Sequence, residues 1–82
     1  MIDAFALADI EARIDAADKR YGPFASAHEG LGVALEEWQE LIEAVRSNSI
    51  IDVQSECLDL AAVCIRLAMC LGEPKTALRS VK

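Results

Sequence analysis

The hydrophobic and polar positions along this chain repeat with a helical period in three successive stretches. From Ile2 to Tyr21, the residues Ala6, Leu7, Ile10, Ile14, Ala17 and Tyr21 fall on one stripe, with Asp9, Glu11, Arg13, Asp15 and Asp18 mostly outside it. That predicts an amphipathic helix. Gly22-Pro23 ends it, because glycine tolerates a left-handed exit and proline cannot continue the hydrogen-bond ladder. Ser26-Ala27-His28-Glu29 has the form of a capping box, so a second helix is expected from about Ala27 to Ser47. Its wheel carries an apolar band, Leu31, Ala34, Leu35, Trp38, Leu41, Ile42 and Val45, with Glu29, Glu36, Glu37 and Glu40 on the other side. After the Ser47-Asn48-Ser49 turn, a third helix is expected from Ile51 or Asp52 to about Leu71, stopped by Gly72. From Cys57 to Leu71 its only charges are Asp59 and Arg66, the pattern of a helix buried on most faces. Pro74 fits the first turn of a short basic helix reaching Val81. The chain reads as all-α, a single domain over residues 1–82 with three main helices and a short C-terminal one.

Two acidic clusters interrupt this apolar scheme. Glu36-Glu37-Trp38-Gln39-Glu40 lies on the second helix and Glu56-Cys57-Leu58-Asp59 on the third, with Leu41 to Ser55 between them. At roughly 100° per residue, Glu37 and Glu40 project from one side of their helix, and Glu56 and Asp59 from one side of theirs. An acidic cluster on one helix usually means a solvated face. Glu56 and Asp59, however, project from the most apolar element in the chain, and carboxylates are rarely buried unless paired or bound to metal. Arg66, seven positions beyond Asp59, lies near the same stripe and is the candidate partner for one of them. If the two helices pack antiparallel, four carboxylates converge, and hard oxygen donors in that number call for a hard cation. Mg2+ is the cellular default, with Mn2+ as a substitute.

Composition narrows the classes. Fourteen acids against eight bases give a net charge of −6, which argues against a nucleic-acid surface, normally a clustered positive footprint. A content of 54% hydrophobic residues in 82 is more than so small a bundle comfortably hides, so burial against a second copy is expected. Cys57, Cys64 and Cys70 have neither disulfide nor zinc spacing and read as small core hydrophobes in a reducing compartment. The start, with Asp3, Asp9 and Glu11, has no signal-peptide character, and the longest apolar run, Leu60 to Ile65, is too short to span a bilayer. A cytoplasmic location is the expectation.

Glu-Glu-x-x-Glu, fifteen residues, then Glu-x-x-Asp resembles the signature of the MazG-type all-α nucleoside triphosphate pyrophosphohydrolases. The resemblance spans about Ala25 to Leu71. It implies that Glu37, Glu40, Glu56 and Asp59 bind Mg2+, which holds a nucleotide's phosphates for cleavage between the α- and β-phosphorus. It also implies that Glu36 orients a ligand or water, or binds a further ion. The family assembles as dimers or as tetramers built from dimers, completing a four-helix core between chains, and its house-cleaning of the nucleotide pool comes with the resemblance. On this reading a free carboxylate such as Glu36 aligns the attacking water, and Arg66, or Lys75 with Arg79, stabilises the leaving pyrophosphate.

Other side chains have competing roles. His28, the only histidine, is a capping or surface residue or else a phosphate contact. Trp38 is expected in core packing, with base stacking as its functional alternative, and Phe24 is the other stacking candidate. A carboxylate di-iron or di-manganese bundle is the first rival reading, disfavoured because such sites use Glu-x-x-His and no histidine lies on the third helix. The second rival is a non-catalytic MazG-like module that dimerises and binds nucleotide.

Overall fold

The computed structural model describes residues 2–72 and contains three α-helices: α1 (Ala4–Tyr21), α2 (Ala27–Arg46) and α3 (Ile50–Cys70). The expected C-terminal helix, with Lys75 and Arg79, lies outside the described residues. Local chemistry sets each boundary. Asp3 caps α1, its carboxylate accepting from the Phe5 and Ala6 amides, which moves the start two residues inward from the periodicity. Ser26 caps α2 by accepting from the Glu29 amide at 3.1 Å. Glu29 reaches back to the Ala25 amide at 2.9 Å, a capping box displaced by one residue. Ser49 caps α3 at the Asp52 amide. In the connecting turn Asn48 has φ 58°, a left-handed conformation that asparagine tolerates better than most residues.

The central element is α3. Both α1 and α2 pack on it, and among the described residues α1 and α2 do not meet. The core is accordingly thin: Ile10 of α1, Ala44 of α2, and Ala62 and Val63 of α3. At one end α2 approaches α3 so closely that a Cβ on Gly30 would lie 2.5 Å from Leu67 Cδ1 and 3.1 Å from Phe24 Cδ2. A larger residue at position 30 would therefore make the Leu67 side chain shift.

Two polar ties attach α1. Arg13 donates to Asp59 Oδ1 at 2.6 Å and to the Ser55 carbonyl at 3.0 Å, while Asp9, one turn back, accepts from its Nε at 2.7 Å. Near the other end, Arg66 of α3 donates to Asp18 Oδ1 at 2.9 Å and to the Gly22 carbonyl at 2.8 Å. Its guanidinium lies 4.3 Å from the centre of the Phe24 ring, within cation–π range. This corrects the sequence expectation for Arg66. It is buried and pairs with Asp18 rather than with Glu56 or Asp59.

Two further expectations are corrected within the single chain. Trp38 is 49% exposed rather than packed in the core, together with Leu31, Leu35 and Val45 of the same band. Cys57 and Cys64 are exposed and only Cys70 is partly covered, because among the described residues α1 and α2 cover two sides of α3 and nothing covers the third. No described helix is long and apolar enough to cross a membrane.

Candidate metal centre

The covered face of α2 is small and apolar except at one position, Glu37. Gly30, Glu37 and Ala44 follow one another at heptad spacing on this face, Gly30 and Ala44 buried and Glu37 half-buried. Glu56 and Asp59 face it from α3. One carboxylate oxygen from each of Glu37, Glu56 and Asp59 lies within 4.8 Å of the others. The Oε2 atoms of Glu37 and Glu56 are shielded from solvent and have no hydrogen-bond partner among the described residues. Buried acceptors left in this way are costly, and a cation is one of the few groups that satisfies several at once.

The electrostatics follow from the crowding. Burial first, then the neighbouring charge of Glu40, pushes the Glu37 carboxyl up to about 7. Loss of solvation raises Glu56 as well, again with Glu40 as the next cause. Glu40 is itself exposed, so it borders the cluster from the solvent side. In contrast, the hydrogen bonds that Arg13 donates to Asp9 and Asp59 keep it firmly protonated, and Arg13 in turn lowers Asp9.

A pH dependence of stability follows. Folded Glu37 keeps its proton to about 7 against an ordinary 4.5, so between those values the folded chain binds more protons than the unfolded one. In the presence of a chelator, the contribution is full below pH 4.5 and is lost as the pH rises through 7. Allowing for solvent screening of a half-buried group, the loss is about 1 kcal/mol, or roughly 4–8 °C in melting temperature. Thermal unfolding in EDTA from pH 4.5 to 8 measures it, and a flat profile would show that Glu37 is not crowded.

Beside the carboxylates lies a groove of about 600 Å³, open because α1 and α2 stand apart over α3. Asp59, Ala62, Val63 and Arg66 form its floor, Val33, Glu36 and Glu37 one wall, and Arg13, Ala17 and Tyr21 the other. Of the residues expected from sequence to carry function, Glu37, Glu56 and Asp59 come together, Glu40 adjoins them, and Glu36 lines the groove. Arg66 also lines it, but with Nε and Nη2 engaged by α1 and its C-cap. His28 is exposed in the first turn of α2 and does not line the groove. Trp38 lies about half a turn around α2 from the groove wall.

Arg13 is the residue that sequence reading missed. Its signal was present: it follows Ile10 by three positions and precedes Ala17 by four, at the edge of the apolar stripe, and a charge bordering a buried stripe normally has a partner. In comparisons with known proteins no family model matches the chain, and no curated protein or solved structure matches it significantly.

Proposed function

We propose that this chain is a Mg2+-dependent nucleoside triphosphate pyrophosphohydrolase, converting a (deoxy)nucleoside triphosphate and water to the monophosphate and pyrophosphate. The observation that carries the reading is the meeting of Glu37, Glu56 and Asp59 from two helices, with two shielded carboxylate oxygens unpartnered. The MazG-like spacing of these residues supports it.

Glu37, Glu56 and Asp59 would hold the ion, with Glu40 completing the set from the solvent side. Mg2+ bound there supplies charge neutralisation for phosphate oxygens and a lowered pKa for water. Glu36, on the groove wall and free of intramolecular hydrogen bonds among the described residues, would align water and accept its proton. Water then bonds to the α-phosphorus while the bridging oxygen departs with pyrophosphate. The groove gives the nucleoside a partly apolar bed. Lys75 and Arg79 remain candidates for the leaving group. House-cleaning of a cytoplasmic nucleotide pool is the role that the resemblance suggests.

A homodimer, or a dimer of dimers, belongs to the same proposal. Leu31, Leu35, Trp38, Ile42 and Val45 recur at alternating spacings of four and three, as do Cys57, Ala61, Cys64 and Ala68 on α3. This is the heptad spacing of a helix–helix seam. At ~100° per residue both seams point about half a turn away from the groove-lining positions, so a second copy can cover them and complete a four-helix core without closing the groove. Trp38→Glu is expected to shift the protein to monomer in analytical ultracentrifugation. An unchanged mass would place the interface elsewhere.

The function is tested by pyrophosphate release over canonical and modified NTPs and dNTPs with Mg2+, with Asp59→Asn and Glu40→Gln run in parallel. Release that depends on Asp59 establishes the enzyme and names its base. If the folded protein releases nothing from any nucleotide, the dimerising, nucleotide-binding module takes its place.

A further inference from the structure

The groove has two cations along it among the described residues, and their surroundings differ. Arg66 is buried, with Nε and Nη2 on Asp18 and Gly22 and the guanidinium against Phe24. Arg13 has a side chain 26% exposed and lies at the edge of the acidic cluster, touching Asp59 itself. Its Nη1 is crowded with acceptors, Asp59 Oδ1 and both oxygens of Ser55. Its Nη2 has a single long contact, 3.4 Å to Asp9 Oδ2. Among the described residues both arginines thus keep spare donors, Nη2 on Arg13 and Nη1 on Arg66, but only Arg13 is part-exposed and adjoins the acidic cluster.

A polyanion brought to an acidic cluster needs fixed positive charge as well as a metal ion, and a guanidinium whose fork is already oriented supplies it at low entropic cost. Asp9 fixes the Nε edge, so Arg13 does not have to leave its place to meet an incoming phosphate. We propose that Arg13, rather than Arg66, is the phosphate-binding arginine of this site, and that it contacts the triphosphate through Nη2 while Nη1 steadies Asp59. The assignment rests on the pyrophosphohydrolase reading and adds to it a residue of α1, the helix whose pattern shows no chemistry.

The test uses inorganic tripolyphosphate, which removes the unknown base from the question. Calorimetric titration with Mg2+ present is expected to show Arg13→Gln binding tripolyphosphate at least tenfold more weakly than wild type, with Arg13→Lys recovering part of the loss. Titration with Mn2+ alone separates the two functions of the residue, because the steadying of Asp59 changes cation affinity whereas phosphate binding does not. If Arg13→Gln proves unfolded, the wild-type Arg13 15Nε–1H resonance serves instead, and it should move when tripolyphosphate is added to the Mg2+-saturated protein. Unchanged tripolyphosphate affinity in folded Arg13→Gln, or an unmoved resonance, reduces Arg13 to a tie between α1 and α3. A wild type that binds Mn2+ but no tripolyphosphate also overturns the assignment, whereas one that binds neither overturns the reading beneath it.

Discussion

Glu37→Gln is expected to lower pyrophosphate release by roughly a hundredfold or more and, in the same protein, to raise the melting temperature measured in EDTA at pH 8. Both effects come from one carboxylate. Glu37 sits against Glu40, Glu56 and Asp59, each of which raises its pKa, and glutamine removes the charge while keeping the shape. Relief of repulsion and desolvation should return about 1 kcal/mol in a half-buried setting, or roughly 4–8 °C for a chain of this size. Added Mg2+ should reverse the order. A ligand that binds only the folded state stabilises wild type by mass action, and the variant, lacking one donor, gains less. The measurement is a pair of melting curves, with EDTA and with Mg2+, beside the release assay. A variant that melts lower than wild type in EDTA would mean that Glu37 is held by contacts that outweigh the crowding. A variant that keeps full activity would remove it from the ion-binding set.

The second large effect is structural. Arg66→Ala should cost about 3 kcal/mol: truncation of a buried side chain leaves a cavity beside Phe24 and strips the half-buried Gly22 carbonyl of its donor. At about 4–8 °C per kcal/mol, the melting temperature falls by roughly 12–24 °C. Asp18→Asn breaks the same ion pair from its solvent end, where the side chain is 51% exposed, and should cost less than about 1 kcal/mol. The contrast separates a buried anchor from a surface salt bridge. Equal costs for the two variants would assign the energy to the charge pair, and a negligible cost for Arg66→Ala would show that α1 is held by its apolar stripe alone.

The three helices were legible because local chemistry bounds them, at the Ser26 box, the Gly22-Pro23 stop and the Ser47-Asn48-Ser49 turn, whereas the Asp3 and Ser49 caps went unread. The encounter of Glu37 with Glu56 and Asp59 was legible too, since helical spacing and an antiparallel hairpin leave few other arrangements. Trp38 and Cys64 misled for one reason. Hydrophobic periodicity reports that a face is apolar and is silent on whether the chain's own helices cover it. Arg66 misled for another. A cation on a buried stripe announces a partner, but Asp18 is 48 positions away and no spacing rule reaches that far. Arg13 was obscured in the same way, its partner Asp59 being 46 positions distant.

Among the described residues α1 packs on α3 and not on α2, so it meets no partner there until α2 and much of α3 have followed it. The α2–α3 hairpin, joined by a short turn, closes at small entropic cost and should form first, with α1 docking later across a long loop. At the hairpin's inner face Glu37, Glu56 and Asp59 crowd together, with Glu40 bordering them from the solvent side. The residues proposed for chemistry therefore sit inside the early folding unit and oppose its closure at neutral pH. Refolding speed, and not only the final fold, is thus tied to whatever neutralises those four acids.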